Sequence, residues 1–327
     1  MINPNDIFTI NSEEEFNNAA VSIFNYQYTN VYVYKRFVDF LKIDSNKIKH
    51  YTEIPFLPVE FFKKHKILDN NINSDVFYFQ SSGTTSENLS KHFIGDAKIY
   101  QKSILESFKI FFGEPSEYIY LGLLPSYLEK KNSSLIYMVD FLMKQSSKKE
   151  NGYFLYNFED LNSLIKKLES KNQKIILFGV SYALLDFANM FPQNLKNTYV
   201  IETGGMKGRK EEITKDELLK ELQNAFNTQN IFSEYSMTEL LSQAYSLGEN
   251  VYKCPPWMKI LIRDAEDPFA YETNGKTGGI NIIDLANYHS CSFISTQDLG
   301  KLTVSDSFQV LGRMDNSDIR GCSLLLL

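Results

Sequence analysis

Along the first part of the chain the apolar residues fall at helical spacing. Phe16, Ala20, Ile23 and Phe24 form one stripe, opened by the capping-box string Ser12-Glu13-Glu14-Glu15, and Tyr34, Phe37, Val38 and Leu41 form a second. Between Ile54 and Val59, Pro55 and Pro58 bias the residues before them to extended geometry, which predicts a connector. From residue 76 onward the period changes repeatedly. Val76 to Phe79 predicts a strand, 96–112 a helix, Tyr118 to Leu123 a strand and 132–145 a helix. Leu161, Leu164, Ile165 and Leu168 share one helix face; Lys174 to Gly179 reads as a buried strand, Ser181 to Met190 as a helix and Thr198 to Ile201 as a strand. A second capping box, Thr214-Lys215-Asp216-Glu217, opens a helix that runs to the vicinity of Phe226. Strands alternating with helices predict an α/β fold: parallel-rich sheets layered with helices. Past Trp257 the helical period disappears. Short extended runs at Met258–Ile262, Gly279–Ile283, Cys291–Ile294, Gly300–Val304 and Phe308–Leu311 predict a smaller β-rich subdomain near the C-terminus. The expected organisation is a helical segment and connector over 1–75, an α/β core over 76–256 and the β-rich part over 257–327.

Composition narrows the classes of function. Hydrophobic residues at 43% and charged residues at 23% describe a chain able to bury a core. A formal net charge of -6, with lysine pairs set beside acids, argues against the basic stripe of a nucleic-acid binder. No basic-then-apolar leader opens the chain. The longest apolar stretch, Ser134 to Met143, contains Asp140 and falls short of the ~20 residues that a membrane span needs. Cys254, Cys291 and Cys322 are scattered and the histidines show no paired spacing, so neither a disulfide framework nor a zinc pattern is expected, and a reducing cytoplasm is. Aromatic residues reach 14%, which suits a thick core or an apolar pocket for a fatty tail.

The candidate chemistry is spread over several segments. Ser81-Ser82-Gly83-Thr84-Thr85 follows a predicted strand, and its hydroxyls and backbone N–H groups could cradle phosphate oxygens; a polar strand-end turn explains the same string. Ala270 to Thr277 loosely matches a nucleotide-binding loop ending in Gly275-Lys276-Thr277, but that motif needs a helix after it. The β-type run Gly278 to Asp284 follows instead, so a glycine turn between strands is the better reading. Glu202-Thr203-Gly204-Gly205-Met206 offers bare backbone after a strand, against which a flat base or a phosphate could lie. Tyr235-Ser236-Met237-Thr238-Glu239 combines an aromatic face, hydroxyls and a carboxylate, suiting a stacked base, a phosphate and Mg²⁺. Thr296-Gln297-Asp298 and Gly312-Arg313-Met314-Asp315 supply an acid and an arginine at expected strand ends, and such an acid can accept from ribose hydroxyls.

In order and spacing these segments resemble the signature segments of adenylate-forming acyl ligases. Within that superfamily the chain is most similar to the LuxE-type acyl-protein synthetases. The stretches that carry this likeness are Ile54 to Lys63, Leu124-Pro125-Ser126-Tyr127-Leu128-Glu129 with Asn132-Ser133-Ser134, Glu202 to Arg209, and Asp318-Ile319-Arg320-Gly321-Cys322. The resemblance implies ATP and Mg²⁺ as cofactors. Ser81, Ser82, Gly83, Thr84 and Thr85 would hold the phosphates, with Lys91 as a further ATP contact; Gly204, Gly205, Met206 and Tyr235 would line the adenine. Thr238 would touch phosphate, Glu239 would hold the metal, and Asp298 and Arg313 would bind the ribose. It also implies a carboxylic acid substrate, with a fatty acid and an acyl-accepting protein as the expected partners, and a thioester at the position that Cys322 matches; on its residues alone Cys322 reads as a small hydrophobe in a tail. The alternatives left open are delivery to coenzyme A or an acyl carrier protein, and an adenylate-binding module without catalysis. Ser86 and Ser236 stand where many superfamily members have glycine, and no residue here matches the catalytic lysine of the superfamily's mobile domain.

Overall fold

The computed structural model describes residues 2–73, 76–81, 89–125, 132–204, 213–303 and 306–314. The chain divides into two compact units, one built from Met1–Ile72 with Pro256–Leu327 and the other from Asn73–Pro255.

The first unit begins with α1 (Glu13–Asn30) and α2 (Tyr32–Phe40). The Ser12 hydroxyl accepts from the Glu15 N–H at 3.2 Å, but the Glu15 carboxylate accepts from Asn11 N–H and not from Ser12, so the expected box closes one residue early. Phe16, Ala19, Ala20, Ile23 and Phe24 form the buried face of α1. The proline connector supplies β1 (Leu57–Pro58), followed by α3 (Phe61–Lys64).

In the second unit a short hairpin, β2 (Tyr78–Gln80) and β3 (Lys91–Phe93), precedes α4 (Ala97–Phe112). Then come β4 (Ile119–Leu123), α5 (Ser134–Ser146), β5 (Gly152–Phe154), α6 (Phe158–Glu169), β6 (Ile175–Val180), α7 (Ser181–Met190), β7 (Thr198–Thr203), α8 (Lys215–Phe226) and β8 (Ile231–Tyr235). The sheet runs β5-β4-β6-β7-β8 with every neighbour parallel, and β9 (Ala244–Ser246) and β10 (Tyr252–Lys253) extend it antiparallel. Every residue of β6 is buried, as expected of a parallel strand covered on both faces. The capping box of α8 is closed from both sides. The α/β expectation holds here, and β5, β9 and β10 are strands too short for a local pattern to reveal.

The chain returns to the first unit with β11 (Met258–Arg263), β12 (Thr277–Asp284), β13 (Phe293–Leu302) and β14 (Ser307–Arg313), an antiparallel meander. One edge of β13 also takes β1 in parallel, Leu57 opposite Ile294. Pro58 is tolerated because β1 pairs on this edge alone. Two runs that the sequence splits, Cys291–Ile294 and Gly300–Val304, meet in the single strand β13, which takes Phe293 and Ile294 from the first and Gly300 to Leu302 from the second, so Asp298 lies inside a strand and not at its end. Gly275 and Lys276 lie in a turn between β11 and β12, with Gly275 at φ +88° and Thr277 opening the strand after it, and Lys276 pairs with Glu272 at 3.4 Å. Nothing there has the geometry of a nucleotide-binding loop. Among the described residues no helix is long and apolar enough to cross a membrane.

Candidate functional site

Open α/β sheets bind ligands beyond the carboxyl ends of their strands, and in the second unit the ends of β7 and β8 carry much of the expected chemistry. β7 runs into Gly204 at φ +79°, a conformation glycine adopts without strain. Gly205 and Met206 lie outside the described residues. Just before Gly204, the fully buried Glu202 carboxylate accepts from the Ser181 hydroxyl, from Ser233 Oγ at 3.1 Å and from Lys215 Nζ at 2.5 Å. Ser181 Oγ is also 3.3 Å from the Gly204 carbonyl. Burial pulls the Lys215 pKa down, and Glu202 and Tyr252 more than reverse this, leaving it at about 12. Lys215 opens α8, where a cation opposes the helix dipole, so the Glu202 charge is what makes that position tenable.

β8 ends in Tyr235, 9% exposed and edge-to-face with Tyr252 at 5.9 Å. On the other face of the sheet, Glu234 accepts from Thr203 Oγ1 at 2.5 Å. Burial pushes the Glu234 carboxyl pKa up, against the Ser236 and Thr203 hydroxyls. After Tyr235 the chain makes a turn closed by Leu240 N–H to the Met237 carbonyl at 3.0 Å, with Thr238 and the buried Glu239 at its tip.

The hydroxyl-rich loop joins this turn through β3. Ser81 exchanges backbone and side-chain hydrogen bonds with Ser90, which makes it the neck of the loop. Ser82, Gly83, Thr84 and Thr85 lie outside the described residues. Lys91 sits exposed on β3 with its ammonium 5.2 Å from the centre of the Tyr78 ring. Its neighbour His92 points inward, fully buried, with Nδ1 2.9 Å from the Thr238 carbonyl, so Nδ1–H donates. Burial holds the His92 pKa down at about 4, against the opposing pull of that carbonyl. An unfolded histidine titrates near 6.5. The folded chain therefore binds fewer protons between these values; the stability His92 contributes is complete above about 6.5 and is lost as pH falls through about 4, on the order of 3 kcal/mol in all. His92→Asn, which keeps a donor but does not titrate, is expected to flatten that acid loss in unfolding midpoints measured from pH 7 to 4. An unchanged slope sinks the assignment.

In the first unit, Asp298 and Arg313 face each other across β13 and β14, Nε to Oδ1 3.7 Å, with the Asp298 side chain 14% and the Arg313 side chain 84% exposed. Cys322 lies outside the described residues. The structure thus brings Gly204, Tyr235, Thr238 and Glu239 to one sheet end, ties Lys91's strand to them, and pairs Asp298 with Arg313. The sequence alone assigns no role to the side chains of Glu202, Lys215, His92 and Arg263. A carboxylate ending an apolar strand and a lysine in the first turn of a helix were the available signals for the first two.

A model of the family described as acyl-protein synthetase, LuxE, matches residues 131–327. No curated protein sequence matches the chain. Among solved structures it is similar to 2-hydroxyisobutyryl-CoA ligase in complex with 2-HIB-AMP and CoA (TM-score 0.70, 12% identity, 95% of this chain and 71% of that one). It is also similar to ATP-bound MatB from Rhodopseudomonas palustris (TM-score 0.56, 13% identity, 72% and 47%) and to the amide bond synthetase McbA from Marinactinospora thermotolerans (TM-score 0.53, 12% identity, 73% and 49%). At these identities the likeness is one of fold, that of the adenylate-forming ligases. The chain spans about half the length of MatB and of McbA.

Proposed function

The chain belongs to the LuxE acyl-protein synthetase family, and from that premise we propose that it activates a carboxylic acid with ATP and passes the acyl group to a thiol. A carboxylate oxygen attacks the α-phosphorus of ATP; the bond to the bridging oxygen breaks and pyrophosphate leaves. A thiolate sulfur then attacks the acyl carbon, forming a thioester and expelling AMP with the electron pair. Positioning and electrostatics supply most of the acceleration in such phosphoryl chemistry.

The observation that supports this reading most is the His92–Thr238 hydrogen bond. It fastens the strand leaving the hydroxyl loop to the turn bearing Thr238 and Glu239, segments that lie 146 residues apart in sequence. In the proposed reaction Thr238 and the loop hydroxyls orient the phosphates, and Gly204 and Tyr235 flank the base. Asp298 and Arg313 bind the ribose. Mg²⁺ commonly takes one or two carboxylates together with substrate phosphates. The buried Glu239 carboxylate beside Thr238 fits such a site, and among the described residues no group of three or more His, Cys, Asp or Glu forms an all-protein cage. The ion, when bound, would neutralise phosphate charge.

The likeness to LuxE-type synthetases favours a fatty acid as the substrate, and the aromatic share of 14% is compatible with one. For the acceptor we favour a protein thiol, Cys322 first among them; the fold shared with a ligase bound to CoA supports coenzyme A as the second reading. ATP–pyrophosphate exchange across acids of graded length is expected to give activity that rises with chain length. No exchange with any acid would sink the activation step. Intact-mass analysis is expected to show an acyl adduct absent from Cys322→Ser, whereas AMP release that depends on added coenzyme A assigns the acceptor to it.

A further inference from the structure

Arg263, which closes β11, has no place in the reaction described so far, yet it is 91% buried by side chain and backbone together, since only 9% remains exposed. No carboxylate lies within ion-pair distance of it among the described residues. Burial lowers its pKa, and attraction to Glu60 and Asp298 only partly offsets that. A desolvated cation without a close counter-charge is costly, so its hydrogen bonds must compensate.

Those bonds converge on a break in the β12–β13 ladder. Gly279 pairs with Leu299 and Asn281 with Ser295, so the single residue Ile280 faces Thr296, Gln297 and Asp298. Such a bulge leaves ladder groups without strand partners. Arg263 supplies the donors: Nη1 to the Ile280 carbonyl at 2.9 Å and to Asn281 Oδ1 at 3.0 Å, Nη2 to the Thr296 carbonyl at 2.6 Å and to Met314 Sδ at 3.3 Å. Thr296 Oγ1 donates to the Ile280 carbonyl at 2.8 Å and accepts from Asp298 N–H at 3.1 Å. From the far side, Met314 N–H donates to the Gln297 carbonyl at 2.7 Å. The guanidinium reaches the break by crossing Gly279, its partner across β11 and β12, where an added Cβ would sit 2.3 Å from Cζ. A planar fork that keeps its proton is suited to bridge two carbonyls; an ammonium is a single point.

We propose that Arg263 is a positioning residue for nucleotide binding: it holds the Thr296–Asp298 bulge in the shape that sets Asp298 opposite Arg313 and anchors the segment ending at Met314. The inference rests on the ribose role proposed for Asp298. Arg263→Met and Arg263→Lys are each tested beside Asp298→Ala and the double variants. In ATP–pyrophosphate exchange the KM for ATP is expected to rise by about tenfold in Arg263→Met with little change in the KM for the acid. Arg263→Lys recovers only part of it, and the double variant with Asp298→Ala is no worse than the worse single. Amide hydrogen exchange at Asp298 and Met314 is expected to lose protection in both Arg263 variants while β6 keeps its own. Full additivity, or equal shifts in both KM values, overturns the proposal, as does unchanged protection in a folded Arg263 variant. Absence of exchange activity in the wild type counts against the proposed function instead, and leaves the hydrogen-exchange result to decide on Arg263.

Discussion

Glu202→Ala is expected to lower the unfolding midpoint of the second unit by roughly 10 °C, because removing one member of a buried ion pair costs about 3–5 kcal/mol. The loss exceeds that of an ordinary hydrogen bond because three donors converge on this carboxylate: Ser181 at the start of α7, Lys215 at the start of α8, and Ser233 on β8. Without it, the Lys215 ammonium stays desolvated at the N-terminal start of α8, where the dipole disfavours it. Replacing both members by apolar residues of similar size, Glu202→Leu with Lys215→Met, is expected to recover much of the stability, since the pair's attraction mostly offsets its desolvation. Equal midpoints for the double variant and for Glu202→Ala would show that the charge is not the cause. The pair also sets an alkaline limit. The Lys215 pKa is raised from 10.5 to about 12, so its contribution is complete below about 10.5 and is lost as pH rises through about 12. Thermal unfolding followed from pH 9 to 12 is expected to show that loss in the wild type and not in the double variant.

Glu239→Gln is expected to reduce the rate of adenylate formation by about 10²–10³, the range seen when a single electrostatic contact to a developing charge is removed. The substitution keeps shape and volume in a buried turn already held by the Met237–Leu240 backbone bond and by His92. Stability is therefore expected to change little. The deficit should narrow as Mg²⁺ is raised if the carboxylate holds the ion. Exchange kinetics against Mg²⁺ concentration, together with melting curves, separate the outcomes: a parallel fall in stability and rate marks Glu239 as structural.

The elements that sequence made visible are those whose stabilising partners lie nearby in the chain. α7 spans Ser181–Met190 as expected, since its apolar run begins where a wholly buried strand stops. The start of α8 is encoded within Thr214 to Glu217. β13 reads as two runs because Ser295 to Asp298 is polar; the structure leaves Ser295, Gln297 and Asp298 partly exposed and meets the carbonyl of the buried Thr296 with a guanidinium from β11. The same limit applies to the site. Asp298 and Arg313 could be matched by motif, but their pairing is a matter of register between strands. Ser81 belongs to the string expected to cradle phosphates, and the hydrogen bond its hydroxyl accepts from Ser90 N–H could not be read from the string alone. His92 offered no local signal, since its partner carbonyl lies 146 residues on.

The composition of the first unit from Met1–Ile72 and Pro256–Leu327 has a consequence for how the chain is made. The second unit is continuous and can complete its parallel sheet while the ribosome is still adding the strands of the first. β1 must wait for β13, and Phe24 for the ring of Phe293, which stands 6.4 Å away in the finished unit. During synthesis the apolar face of α1 therefore stays without its final cover across the whole of the intervening unit, a window in which holding chaperones or premature self-association compete for it. Early folding of the inserted unit shortens the loop whose closure then remains. Its stability, including the Glu202–Lys215 pair, thus bears on the yield of the first unit as well as on its own.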